Sequence, residues 1–273
     1  MKAARKGLAQ LKETLRTTWM AGDFGLIAKY TARGAEEFVE RLTIRPGMRV
    51  LDLACGTGNL AIPAARKGAH VTGIDIATNL LAQARQRAGA ETLAISFEEG
   101  DAEDLPYPDG HFDLVMSMFG AMFALRPEKV STELARVTRQ GGRIAMANWT
   151  PDGLPGETFR LTSRYLPPPE GIAPPVLWGD EKVVRSRLAG HCSKIQTNRR
   201  NIDMKYLFSP RRVVQFFREN FGPTQLAFSR LDPAGQEAYA RDLEELWRKY
   251  SQSGGDKEVK VRAEYLEVIA TRA

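Results

Sequence analysis

An acid, two glycines and a second acid stand where a ligand could be gripped: Asp52, Gly56, Gly58 and Asp75. Asp52 lies in the apolar run Val50-Leu51-Asp52-Leu53-Ala54, which leads into Cys55-Gly56-Thr57-Gly58-Asn59-Leu60 and then into a helical pattern. Such a run is a buried strand. Glycines spaced by one residue make a turn where backbone approaches a ligand closely, ahead of a helix N-terminus aimed at that ligand. Two chemistries share this signature. Gly56-x-Gly58-x-x-Ala61, with Asp75 seventeen residues past Gly58, satisfies the dinucleotide pattern of nicotinamide and flavin enzymes. Asp52 discriminates, because an acid near the end of the first strand repels a pyrophosphate and suits a ligand carrying positive charge.

The elements that must position these residues are legible as an alternation of strands and helices. After strand one, His70–Ile76 reads as a strand ending in acid Asp75, Leu80–Ala88 as a helix and Ala94–Ala102 as a third strand. Asp109-Gly110 turns the chain into a fourth strand, Phe112–Ser117; a helix, Pro127–Arg139, stopped by Gly141-Gly142, precedes a fifth, Arg143–Trp149. This rhythm specifies an α/β fold with a doubly wound, mostly parallel sheet. Ahead of it, Leu8, Leu11, Leu15 and Trp19 recur at helical spacing with Lys12 and Arg16 on other faces, and a second helix is expected over Leu26–Leu42. Residues 151–180 carry seven prolines with Phe159, Tyr165, Leu177 and Trp178 and read as an ordered cap, with a short helix around Glu157–Tyr165. Asp180 caps a helix to Leu188, and a strand follows near Lys194–Tyr206. Ser209-Pro210 opens a helix closed by Gly222-Pro223, Asp232-Pro233 opens another closed by Gly254-Gly255, and Val259–Thr271 alternates as a final strand. The expected division is an N-terminal helical segment over the active site (1–46), a ligand-binding core (47–150), the cap (151–180) and a completion of the sheet with helices (181–273).

Bulk properties narrow the class. A chain of 273 residues with 43% hydrophobic and 26% charged residues is an ordinary globular enzyme in composition. No apolar stretch spans a bilayer and no signal-peptide core follows the start, so a cytoplasmic protein is expected. Cys55 and Cys192 stand alone, without metal-site spacing, and no metal is expected. The net charge of +6 is spread unevenly: ten basic against five acidic residues in 1–50, nine against twelve in 51–150, and twenty against sixteen in 151–273. The basic residues interleave with acids along helices, as in Asp242-Leu243-Glu244-Glu245-Leu246-Trp247-Arg248-Lys249, so nucleic acid is not an expected partner. Oligomeric state carries no sequence signal.

The spaced set Asp52-x-Ala54-x-Gly56-x-Gly58 resembles the first motif of the Rossmann-like, class I S-adenosylmethionine-dependent methyltransferases, and the resemblance continues to Trp149. Asp75 matches the acid that takes both ribose hydroxyls in that family, and Ile76 the residue on the adenine face. Gly100-Asp101-Ala102 is similar to its third-strand motif, with the Asp101 carboxylate on the adenine amine and the Ala102 N–H on a ring nitrogen. Leu105–Val115 resembles the loop and fourth strand of the small-molecule branch, and Gly141-Gly142-Arg143-Ile144 the turn into strand five. The resemblance implies a seven-stranded sheet whose last strand is antiparallel. It implies Gly56, Thr57 and Gly58 against the methionine portion, a backbone group near Ser117 on its ammonium, and Tyr30 near its carboxylate.

Ligands of such sheets sit beyond the carboxyl ends of the strands. Residues following strand four (Phe119, Met122, Phe123), following strand five (Trp149) or in the cap (Phe159, Trp178) are therefore the expected walls of a substrate pocket. The three histidines, His70, His111 and His191, fall before strands or at a helix–strand junction, and spacing singles out no catalytic residue. The reading is a methyltransferase acting by proximity on a small, apolar or aromatic molecule. The alternatives are a non-catalytic S-adenosylmethionine-binding protein and a nicotinamide-dependent oxidoreductase. Strand four continues Ser117-Met118-Phe119-Gly120, without the Asn-Pro tetrapeptide of many nucleobase amino methyltransferases.

Overall fold

The computed structural model describes residues 2–273, with side chains from Gly7 onward. Strands β1 (Arg49–Leu53), β2 (His70–Asp75), β3 (Ile95–Glu99), β4 (Phe112–Met118), β5 (Thr138–Trp149), β6 (Cys192–Tyr206) and β7 (Val259–Arg272) form one sheet in the order β3-β2-β1-β4-β5-β7-β6. Strands β1 to β5 pair in parallel, and β7 lies antiparallel to both β5 and β6. The seven-stranded sheet with an antiparallel last strand is thus as the sequence implies.

The reversal of strand order falls between β1 and β4, and a doubly wound sheet opens its ligand crevice at such a point. Helices α1 (Lys2–Met20), α2 (Phe24–Ala28) and α3 (Ala32–Arg41) precede the sheet. Helices α4 (Ala61–Arg66), α5 (Thr78–Ala90) and α6 (Pro127–Val137) lie between its parallel strands. Helices α7 (Leu154–Tyr165) and α8 (Glu181–Ala189) separate β5 from β6, while α9 (Pro210–Asn220), α10 (Gly222–Ser229) and α11 (Pro233–Tyr250) separate β6 from β7. Central strands are buried on both faces, which is why β1 and β4 read as near-continuous apolar runs. Val50, Leu114, Met116, Ala145 and Ala147 pack on one side with Phe38, Leu81 and Trp247; Leu51, Leu53, Val115, Ile144 and Met146 pack on the other with Val130, Leu134, Val184 and Leu188. Among the described residues no helix is long and apolar enough to cross a membrane.

The main departures from the expected boundaries are local. The helix expected over Leu26–Leu42 is broken at Lys29-Tyr30-Thr31 into α2 and α3. The Gly141-Gly142 pair does not precede β5 but lies inside it: β5 starts at Thr138, pairs with Phe112 there, and resumes register at Arg143 opposite Leu114. The third strand ends at Glu99, after which Asp101 and Asp104 form an isolated bridge. Gly222-Pro223 opens α10 as well as closing α9, since proline at the start of a helix needs no N–H partner. The caps behave as read: the side chains of Asp180, Ser209 and Asp232 accept the N–H of Val183, Arg212 and Gly235.

Candidate functional site

The loop after β1 is shaped by three left-handed residues, Ala54 (φ 54°), Gly56 (φ 52°) and Gly58 (φ 82°). The two glycines serve different needs. A Cβ at Gly58 would meet Phe97, Ile62 and Ala84 at ordinary contact distances of 3.4–3.6 Å, so the left-handed φ rather than lack of space is what calls for glycine there. At Gly56 the nearest atom would be in Phe24 at 4.0 Å, so Gly56 leaves space open above the loop. Asp75, at the end of β2, accepts the N–H of Gly56 and of Ala77, each at 2.8 Å, and so joins the two turns. Asp52 is 1% exposed and accepts the N–H of Ala61, at the start of α4, at 2.9 Å. Burial pushes the Asp52 carboxyl well above the usual carboxylate range, with the Ala61 N–H opposing and neighbouring Asp75 adding to the rise. Asp75 is shifted up by burial too, against the pull of its backbone N–H partners.

This arrangement separates the two chemistries the glycines allowed. A dinucleotide's pyrophosphate needs the free N–H groups of the helix that follows the loop. Here the protein's own carboxylate, Asp52, holds the first of them.

A cavity of about 490 Å³ opens beyond the carboxyl ends of β1, β2, β3 and β4. Its wall includes Asp52, Ala54, Gly56, Thr57, Asp75, Ile76, Asp101, Ala102, Phe119 and Phe123, so the sheet gathers these ten sequence-selected residues at one place. Strands β3 and β4 stand three places apart in the sheet, about 14 Å at the usual strand spacing. The lining changes across that span. On the β3 side are Glu99, Asp101 and Glu103, met by Lys12 and Arg16; on the β4 side are Met118, Phe119 and Phe123, met by Trp19 and Phe24.

Helix α1 spans the difference. Lys12 to Trp19 is seven residues, about 10 Å of helix. Lys12 Nζ pairs with Asp101 and, at 2.8 Å, with Glu103; Arg16 pairs with Glu99 at 3.2 Å. Trp19 sets its ring edge-on to Phe24, Phe123 and Phe221, with centroids 5.5, 4.9 and 5.8 Å away. Burial works against ionising Glu103, but the pairs with Lys12 and Arg126 overcome it and hold the carboxyl below the usual range.

Phe119 is the strained member of the wall. Its φ of 55° is a left-handed conformation that bulky residues avoid, at a cost of about 1–3 kcal/mol. The surroundings enforce it. Its N–H donates to the Ala147 carbonyl at 2.9 Å, its ring lies parallel to Trp149 at 3.5 Å, and Tyr265 meets it edge-on at 5.7 Å.

Seven sequence-selected residues fall outside the wall. Gly58 lies beneath the loop. Ser117 is 1% exposed, its hydroxyl donating to the Leu53 carbonyl at 2.7 Å and accepting the Ala121 N–H at 3.1 Å; it ties β1 to the turn after β4. Tyr30 stacks on Tyr206, 4.1 Å between centroids, in an aromatic cluster with Phe216. Met122 and Trp178 are buried in the core, Trp149 stands behind Phe119, and Phe159 packs edge-on against Phe123 from outside the wall. Residues 151–180 contribute nothing to the lining. Trp178 instead packs under the Arg187 guanidinium, 4.7 Å from its ring centre. Trp178→Ala is therefore expected to lower unfolding stability by about 3–5 kcal/mol in urea titration while leaving cofactor affinity within about twofold in calorimetry.

Sequence reasoning missed Lys12, Arg16, Trp19, Phe24, Glu99 and Glu103. Its apolar stripe on α1 sends Lys12 and Arg16 to other faces, yet both reach the cavity because acids at the end of β3 receive them. The signal available was the i, i+4, i+7 spacing of Lys12, Arg16 and Trp19.

Comparison with known proteins agrees with this geometry. A model of the methyltransferase domain matches residues 50–142. The chain is 38% identical to the uncharacterized protein Rv1403c of Mycobacterium tuberculosis over 241 residues, 87% of this chain and 88% of that one. It is 42% identical to a demethylmenaquinone methyltransferase of Deinococcus radiodurans over 124 residues, 44% of this chain and 52% of that one. In fold it is similar to the YcgJ protein from Bacillus subtilis, with a TM-score of 0.60 at 18% identity over 88% of this chain and 98% of that one. The glycine loop, the capped α4, the strand order and these relatives lead to one assignment: the chain belongs to the class I S-adenosylmethionine-dependent methyltransferases, an enzyme whose cofactor is S-adenosylmethionine.

Proposed function

We propose that this methyltransferase delivers its methyl group to a small, largely apolar or aromatic molecule held beside Phe119 and Phe123. The observation that carries the reading is the change in lining across the cavity, from carboxylates over β2 and β3 to aromatic rings over β4. The acidic side suits a polar adenosyl group: Asp75 for the ribose, Asp101 and the Ala102 N–H for the adenine, and Ile76 against its face. The Gly56 turn, open above its Cα, suits the methionine portion. When bound, S-adenosylmethionine supplies the methyl group and the sulfonium leaving group for an in-line displacement. Trp19, Phe24, Phe119 and Phe123 offer an acceptor apolar contact and edges of rings.

None of the three histidines is in the wall, and the carboxylates at the ends of β2 and β3 lie across the cavity from the aromatic rings over β4. The contribution of the chain is then orientation, which can supply about 7–11 kcal/mol of barrier reduction, together with exclusion of water by α1. In this reading residues 1–46 cover the site, 47–150 hold the cofactor, and 151–180 and 181–273 buttress the sheet. A small-molecule acceptor is in keeping with the name of the Deinococcus relative.

The test is turnover of methyl-labelled S-adenosylmethionine against a panel of phenols, amines, thiols and lipids, with RNA and duplex DNA as comparators. Label should appear on apolar or aromatic small molecules. Transfer confined to RNA, DNA or protein overturns the reading.

A further inference from the structure

We propose that Lys12 gates the cofactor cavity: in the free protein its ammonium occupies the carboxylates on the β3 side, and the cofactor gains access by displacing it as the N-terminal half of α1 swings outward. This rests on the reading that Asp75 and Asp101 receive the adenosyl group.

The first observation is that the contact is exchangeable. Lys12 holds Asp101 and Glu103, but each acid has a second, independent partner. The other oxygen of Asp101 accepts the Glu103 N–H at 2.9 Å, and Glu103 accepts both the N–H and Nε of Arg126 at 2.7 Å. Glu103, whose side chain is 1% exposed, is therefore not left as an unpaired buried charge when Lys12 departs. Orphaned buried carboxylates make an ion pair permanent; this one lacks that penalty. Lys12 is itself 26% exposed and returns to water. The companion pair of Arg16 and Glu99 is more exposed still, at 35% and 51%, and holds weakly.

The second observation is that, among the described side chains, the closest packing of α1 gathers at its C-terminal end. Gly222 is so close to Thr18 that a Cβ there would fall 1.7 Å from the Thr18 carbonyl oxygen. Gly22, with φ 71°, is pressed in the same way on the Asn220 carbonyl, and Trp19 is enclosed by three phenylalanine rings. The pivot is thus near Thr18. Toward the N-terminus, Lys12 and Arg16 supply the polar contacts that hold the helix over the acids. A cofactor presenting its polar edge to Asp101 meets Lys12 already there, so the latched state lowers the binding-competent fraction.

The test uses Lys12→Met in the full chain with S-adenosylhomocysteine as probe, followed by stopped-flow tryptophan fluorescence. Removing the ammonium is expected to raise the association rate constant by about tenfold. Raising NaCl from about 0.05 to about 0.5 M should accelerate association with the wild type and leave the variant unmoved. Amide exchange over residues 8–16 without ligand should be faster in the variant, a readout of the latch that needs no cofactor. Unchanged or slower association in Lys12→Met, or unchanged exchange, overturns the gate. Weaker binding in the variant overturns it as well, because Lys12 would then hold the ligand. Failure of the wild type to bind S-adenosylhomocysteine overturns the cofactor seat itself, and exchange still decides whether the latch exists.

Discussion

Asp75→Ala is expected to weaken S-adenosylhomocysteine binding by on the order of a hundredfold, read by isothermal titration. A hydrogen bond to a charged group is worth about 1.5–3 kcal/mol, and tenfold in affinity is about 1.4 kcal/mol. Loss of one to two such bonds from ribose hydroxyls therefore spans the expected range. The position gives the carboxylate unusual leverage. It is 8% exposed, so few waters compete for it, and it already orders the Gly56 and Ala77 turns through two N–H donors. Part of the loss would come from loosening those turns, and urea unfolding of the same variant measures that part separately. Asp101→Ala supplies the contrast. Its side chain is 39% exposed and already shared with Lys12, so its removal should cost less affinity than that of Asp75. An Asp75→Ala enzyme with wild-type affinity would mean that the ribose is held elsewhere.

The difference between these two acids also shows what a sequence can and cannot disclose. Asp52, Gly56, Asp75 and Asp101 were legible because each sits at or just past the end of a strand in consecutive strand–helix units, where chain order alone places strand ends side by side. The aromatic wall was not. Phe119 and Phe123 line the cavity while Met122, between them in sequence, and Trp178, in the cap, are core, and all four are large apolar residues that gain from burial in either place. Helix α1 was ambiguous for a related reason. Two stripes run along it, Leu8-Leu11-Leu15-Trp19 and Lys12-Arg16-Trp19, and hydrophobicity favours the first as the inward face. What turns the second toward the cavity is the group Glu99, Asp101 and Glu103, more than eighty residues away in the chain. The spacing of Lys12, Arg16 and Trp19 marks a second face, but nothing local shows that acids so distant in the chain will receive it.

The most severe single-atom change in the cavity wall is expected at Gly120. Gly120→Ala adds one methyl group, which would lie 2.5 Å from the carbonyl oxygen of Ala54 and 2.7 Å from its Cβ. Real carbon atoms do not approach so closely, and the obstacle is backbone rather than the end of a flexible side chain. The turn after β4 must therefore move away from the loop after β1, and both flanks are already committed. Ala54 and Phe119 each hold a left-handed conformation, and Ser117 ties the same two segments together through Leu53. Overpacking of this kind typically costs about 1–3 kcal/mol, and here it falls on the segments that shape the cofactor seat and aim Phe119. Gly120→Ala should accordingly lose about 2 kcal/mol in urea unfolding and at least tenfold in S-adenosylhomocysteine affinity. Gly89→Ala, near the end of α5 with nothing within 4 Å, adds the same methyl group in open space and should be neutral or stabilising, since alanine favours helix over glycine by up to about 1 kcal/mol. If both substitutions leave stability and affinity alike, the close approach of β1 and β4 at Ala54 and Gly120 is not what forms the seat, and the strain at Phe119 has no part in positioning the acceptor.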